Sequence, residues 1–130
     1  MRALKQGDVI FDEAKPGASR DQLALFSAGT EDPNPIHVDD GFAKRAGFPT
    51  VLQQGPMTTA HFAGLLAARF GARLKTFDVT FTAPVFVGDA LRLVAKVESV
   101  GGDIVCALTV HKPDGTLTAR GTATIGAAAP

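Results

Sequence analysis

The sequence predicts an α+β fold in which a five-stranded antiparallel sheet curls around one long helix. Three observations lead there. The stretch GPMTTAHFAGLLAARFG, residues 55–71, is apolar on nearly every helical face, so it needs cover on nearly every side. From residue 73 to 126 apolar residues recur at every second position, the period of half-buried strands. Gly101-Gly102 and Pro113-Asp114-Gly115 divide that half of the chain as tight turns. A helix that must be covered and a sheet with an apolar face satisfy one another.

The elements follow in order. Val9-Ile10-Phe11 reads as a first short strand. Ser19-Arg20-Asp21-Gln22 has the spacing of a capping box, and the helix it opens carries Leu23 and Phe26 on one face and is expected to stop at Gly29. A polar loop follows. Asp39 or Asp40 caps a short helix with Phe42, Ala43 and Ala46, stopped by Gly47 and Pro49. In the long helix, Pro56 suits the first turn, where a missing N–H costs nothing, and Gly71 suits the end. The strands are marked by Phe77, Val79 and Phe81, by Leu91, Leu93, Ala95 and Val97, by Val105, Ala107 and Thr109, and by a last run from about Thr116 to Ile125. The GAAAP tail reads as frayed.

Composition narrows the function. With 130 residues, 45% of them hydrophobic and 20% charged, the chain suits one globular domain over residues 1–130. Thirteen basic residues balance thirteen acidic ones with no basic run, so neither nucleic acid nor an anionic membrane is expected as a partner. Residues 55–70 are too short for a bilayer and are interrupted by His61 and Arg69, and no charged-then-apolar leader opens the chain. Cys106, the single cysteine, lies in an alternating strand, as expected of a buried inert thiol in a reducing cytoplasm.

The chemistry is concentrated in EDPNPIHVDD, residues 31–40. Pro33 and Pro35 each fix a φ angle and hold the preceding Asp32 and Asn34 extended. Asp32 and His37 are thereby set on a stiff loop, as a carboxylate and an imidazole must be to act on one small target. Such a pair can take a proton and give one near neutral pH. His37 alone would be ordinary hydrogen-bonded filler; its doubly braced setting argues otherwise. Asp39 and Asp40 read as capping and solvated residues, and Glu31 as a surface charge. His37, His61 and His111 lack paired-ligand spacing, so no metal site is expected, although long-range folding could gather them. His111 adjoins a turn and is expected to be exposed. Gly55 is either a plain N-cap or a backbone N–H donor backed by the positive end of the long helix.

AGTEDPNPIHVDDGFAKRAGFP, followed by GPMTTAHFAGLL, resembles the MaoC-like (R)-specific enoyl-CoA hydratases and acyl dehydratases, a family with the hot-dog fold. Asp32, Asn34, Pro35, Ile36 and His37 match its Asp-x-Asn-Pro-aliphatic-His motif, and the likeness extends over nearly the whole chain. The resemblance implies that Asp32 acts as base toward a water while His37 assists as acid toward the substrate's α-carbon. It places the Gly55 amide on the thioester oxygen and sets Asn34, Thr58, Thr59 and Phe62 against the substrate. It further implies an acyl-CoA substrate, no metal or redox cofactor, and a homodimer with sheets joined edge to edge. Three departures stand out. Thr30-Glu31 replaces a frequent Ser-Gly, Gln54-Gly55-Pro56-Met57 replaces His-Gly-Met, and His61 interrupts an apolar helix. A hot-dog thioesterase and a subunit of a heteromeric dehydratase are the alternatives.

Overall fold

The computed structural model describes residues 3–127. The elements run β1 (Val9–Lys15), α1 (Arg20–Gly29), a 3-10 turn (Pro35–His37), α2 (Asp40–Arg45), α3 (Gly55–Phe70), a second 3-10 turn (Gly71–Arg73), β2 (Leu74–Phe81), β3 (Leu91–Gly101), β4 (Asp103–His111) and β5 (Leu117–Ile125). The strands form one sheet in the order β1-β3-β4-β5-β2, antiparallel at every pairing. At 1.5 Å per residue α3 is about 24 Å long, enough to cross several strands. Its Phe62 and Leu66 are completely buried against β-strand residues such as Leu93, Cys106, Leu108 and Ile125.

Local chemistry explains the boundaries. The capping box of α1 is complete: Gln22 N–H donates to Ser19 Oγ at 3.1 Å and Ser19 N–H to Gln22 Oε1 at 2.8 Å. Asp39 caps α2, its Oδ1 accepting from Phe42 N–H at 3.1 Å. Helix α1 ends at Gly29, as expected, with Gly29 as its last helical residue and not as a left-handed cap. Thr30 caps it, and the left-handed residue that turns the chain away is Glu31, at φ 54°. Strand β1 also outruns its apolar triplet, because Asp12 to Lys15 pair with Leu91 to Val94. A bulge between Val9 and Phe11 lets both Ile10 and Phe11 face the interior.

Two burial patterns differ from expectation. In β4 the buried set is Ile104, Cys106, Leu108 and Val110, while Val105, Ala107 and Thr109 are only half covered. Both faces of that strand are apolar, so composition leaves the phase open and packing under α3 sets it. Helix α3 buries only Thr58, Phe62 and Leu66 completely. Its reverse, with Ala60, His61, Gly64, Ala67 and Ala68, is uncovered. One sheet can cover only one stripe of a helix. In the tail, Gly126 is tied down by its N–H to Arg73 O at 2.7 Å and by Arg73 Nε donating to its oxygen at 3.0 Å. The rest of the expected fraying, past Ala127, lies outside the described residues.

Gly121 holds β2 against β5. A Cβ there would stand 1.9 Å from Asp78 O, a backbone atom that cannot step aside. Gly101 has no atom within 4 Å of the same position. Gly121→Ala is therefore expected to destabilise the fold by at least the roughly 1–3 kcal/mol typical of overpacking, and so to melt well below Gly101→Ala. Equal midpoints in a melting comparison would contradict this register.

Candidate functional site

The loop between α1 and α2 is held by its own side chains. Asp32 N–H donates to Ser27 O at 2.9 Å, and Asp32 Oδ1 accepts from Asn34 N–H at 3.1 Å. Asn34, extended at φ −64° and ψ 116°, caps the 3-10 turn by accepting from Ile36 N–H at 3.1 Å. Asn34 is thus occupied with the loop's own backbone. Glu31 sustains a left-handed conformation with a side chain, a strained state that glycine would adopt freely, and it directs the chain into Asp32.

His37 is fixed from the other side. Its Nδ1 lies 2.8 Å from Leu52 O, and Leu52 N–H donates to Ile36 O at 3.1 Å. A carbonyl only accepts, so Nδ1 carries the hydrogen and Nε2 faces outward. Nε2 stands 3.5 Å from Asp32 Oδ2. That is long for a direct hydrogen bond and suits two groups that hold one water between them. The Asp32 side chain is 36% exposed and that of His37 13%, so solvent reaches the pair while the ring stays braced.

Beside this loop lies a cavity of about 380 Å³ lined by Leu52, Gln53, Gln54, Gly55, Thr58, Phe81, Ala83, Pro84 and Val85. Two of its lining segments pair antiparallel: Gln53 N–H donates to Val85 O at 2.7 Å and Val87 N–H to Val51 O at 3.1 Å. Gly55 opens α3 at the cavity wall, and a Cβ there would meet Phe81 Cε2 at 2.9 Å. A Cβ there would push the Phe81 ring away from that point.

Of the expected substrate-facing residues, Thr58 lines the cavity and is 4% exposed. Thr59 does not, and its hydroxyl donates to Gly55 O at 3.1 Å. Phe62 is a core residue, fully buried with its ring centroid 6.1 Å from that of Phe11. The face it shares with Gly55 turns under the sheet one turn further on. Gln53 and the Phe81–Val85 wall escaped the sequence reading, because the wall lies some thirty residues away in the chain and only folding brings it to Gly55.

The three histidines do not converge, and among the described residues no group of three or more His, Cys, Asp or Glu side chains could hold a metal ion. His61 lies on the uncovered face of α3; partial burial and the Lys15 charge push its pKa down. His111 is half-buried at the end of β4, not exposed, because the strand continues to pair there with Leu117 and Arg92. Cys106 is fully buried, which pushes its thiol pKa up.

Asp40 is no solvated bystander. It accepts from Thr50 Oγ1 at 2.7 Å and Val51 N–H at 3.2 Å and pairs with Arg20 at 2.8 Å, clasping α1 and α2 to the segment that leads into the site.

The chain belongs to the MaoC like domain family, which matches residues 6–118. It is 35% identical over 102 residues to an (R)-specific enoyl-CoA hydratase of Aeromonas caviae, spanning 76% of this chain and 70% of that protein. It is 37% identical over 98 residues to a mitochondrial 3-hydroxyacyl-acyl-carrier-protein dehydratase of Solanum lycopersicum, spanning 75% of this chain and 57% of that one. The solved (R)-hydratase from A. caviae involved in PHA biosynthesis superposes with a TM-score of 0.85 at 25% identity, covering 98% of this chain and 100% of that one. The hot-dog architecture is thereby established, and these relatives are hydro-lyases.

The Thr50 hydroxyl, first, and then Arg20 hold the Asp40 carboxyl below its ordinary value of 3.8. A carboxyl lowered in the folded state stabilises the fold fully above its unfolded pKa and loses that contribution as pH falls through the folded value. Stability should therefore drop below about pH 3.8 in a way that Asp40→Asn flattens. Denaturant midpoints measured across that window check it; parallel curves for the two proteins would contradict it.

Proposed function

We propose that this chain reversibly adds water to a trans-2-enoyl thioester, acting as an (R)-specific enoyl-CoA hydratase or 3-hydroxyacyl-CoA dehydratase. The observation that carries this reading is the locked His37 ring, which presents Nε2 to Asp32 Oδ2 at 3.5 Å. Two groups that can share one water, beside a cavity with a helix N-terminus in its wall, form a hydrating site.

In the hydration direction the pair begins as carboxylate and imidazolium. Asp32 takes a proton from water as the oxygen bonds to the β-carbon. The π electrons move to the thioester oxygen, where the Gly55 N–H and the end of α3 stabilise the enolate. His37 Nε2–H then delivers a proton to the α-carbon as the carbonyl re-forms. Through the next water that enters between them, Asp32 returns a proton to His37 and the pair is restored. Water has been added, with no net gain or loss of protons or electrons. Neither a metal nor a redox cofactor takes part, and coenzyme A is the carrier of the substrate.

The same reading takes the protein as cytoplasmic, with one MaoC-like domain over residues 1–130 acting as a homodimer. Three features support the dimer. Strand β2 is a free edge, Phe81 at its end is 49% exposed, and the uncovered side of α3 presents small residues. A second copy meeting β2 would lengthen the sheet and cover all three. Among the described residues, no helix is long and apolar enough to cross a membrane.

Crotonyl-CoA separates the alternatives. Loss of enoyl absorbance without free thiol is the expected result, whereas thiol release would indicate a thioesterase. Asp32→Asn keeps the loop's shape and removes the base, so turnover should fall about 10²–10⁴-fold with little change in melting. Near-normal hydration by that variant would overturn the assignment. Light scattering at micromolar concentration should give twice the chain mass of 13.5 kDa. A monomer, or activity only with a different hot-dog chain, would contradict the homodimer.

A further inference from the structure

The edge of one aromatic ring stands at the residue assigned to the thioester oxygen, and the chemistry above gives that ring no role. Phe81 ends β2, where it pairs with Ala119. The backbone just beyond it is tied to β5: Thr82 N–H donates to Thr118 O at 2.9 Å and Thr82 Oγ1 to Leu117 O at 2.7 Å. From this fixed base the side chain reaches the first turn of α3. A Cβ on Gly55 would stand 2.9 Å from Cε2 and 3.0 Å from Cζ, so the edge of the ring touches Gly55 itself. Unlike a core aromatic, Phe81 is 49% exposed, and it lines the cavity together with Gly55. It has surface free to touch a ligand.

The position of the reacting pair tells which part of a substrate meets this ring. A carbonyl carbon whose oxygen sits on the Gly55 N–H has two other substituents, the α-carbon and the sulfur. The α- and β-carbons must face Asp32 and His37, which act on them. Neither of those residues lines the cavity; His37 is bonded to the carbonyl of Leu52, and Leu52, Gly55 and Phe81 border the space beyond. The sulfur is thereby left on the side of Phe81. The contact suits it, because a polarisable sulfur packs well at the edge of an aromatic ring.

We propose that Phe81 is a specificity-determining residue whose ring lies against the sulfur of the thioester and limits bulk on the carbon that carries it. The substrate class is then thioesters of unbranched primary thiols, in which a CH2 group follows the sulfur. This rests on the thioester reading. A methyl group on that carbon would press against the ring, whose backbone the bonds to β5 keep from yielding. A methyl group on the α-carbon lies across the carbonyl, toward the reacting pair, and does not meet the ring. A misfit of this size in an apolar wall costs about 10–200-fold in kcat/KM.

The experiment uses three thioesters. Crotonyl-N-acetylcysteamine is the parent, the crotonyl thioester of N-(2-mercaptopropyl)acetamide adds a methyl group on the carbon bearing sulfur, and 2-methylcrotonyl-N-acetylcysteamine adds one on the α-carbon. The kcat/KM of each methylated substrate is divided by that of the parent in the wild type, Phe81→Ala and Phe81→Leu. Taking the ratio within each protein cancels any general loss of activity. The wild type should disfavour the arm-branched substrate by roughly tenfold or more, and Phe81→Ala should recover most of that loss. If Phe81→Ala does not fold, Phe81→Leu, which stays apolar but withdraws the ring edge, should still recover part of it. The α-methyl ratio should be the same in every folded protein. An arm-branched substrate that the wild type uses as well as the parent would overturn the proposal. So would an arm penalty unchanged in every folded variant, or an α-methyl penalty that falls when the ring is removed. If no enoyl thioester is hydrated, the hydratase reading fails separately. Melting shifts with the saturated butyryl thioesters of the two thiols then test the same preference without turnover. A larger wild-type shift with the unbranched arm supports it, and equal shifts would overturn it.

Discussion

The site depends on the backbone of Leu52, bonded through both its N–H and its carbonyl to the loop that precedes α2. Its N–H donates to Ile36 O and its carbonyl accepts from the His37 ring. One residue's backbone therefore joins the proline-braced loop to the segment that leads into α3, and sets the histidine tautomer at the same time. Without the bond from the ring to this carbonyl, His37 could rotate or exchange tautomers, and the separation between Nε2 and Asp32 would no longer be defined. The remaining supports serve this junction. Asp40 clasps Val51 next to it, Val85 holds Gln53 on its other side, and Gln54 pins the following turn to α1.

The architecture explains why such a junction can be rigid. Helix α3 is seated on the sheet by Phe62 and Leu66, both fully buried, so its N-terminus has little freedom to shift. The cavity opens there because Gly55 leaves room for Phe81, brought over from the end of an edge strand. A buried core thus positions a polar site that has no core of its own.

How much of this was legible in the sequence follows from whether each signal is local. Proline spacing, the capping box, the strand turns and the extent of α3 are set by neighbouring residues, and these readings hold. The Asp32–His37 pairing was legible for the same reason: both side chains sit on one six-residue loop. Phase and cover are not local. In β4 both faces are apolar, so nothing in the strand itself distinguishes Cys106 from Val105. Phe62 lies one turn beyond Thr58 on a shared face, yet the sheet closes over it first. Gln54 drew notice only as a substitution; that it spans from α3 to Leu23 needed the fold. The left-handed turn at Glu31 was hidden for a different reason: the helix ends at Gly29 as expected, but the residue that takes the positive φ is two positions further on and is not a glycine.

Cys106 sits at the middle of β4, flanked by β3 and β5 and covered by α3. No local fraying can uncover it. A thiol reagent reaches the sulfur only when the centre of the sheet opens, so the labelling rate follows whole-molecule unfolding. With a single cysteine in the chain, each molecule counts once. The protein thus contains its own reporter of opening events in the native state, read without denaturant, and distinct from any thiol that a substrate releases.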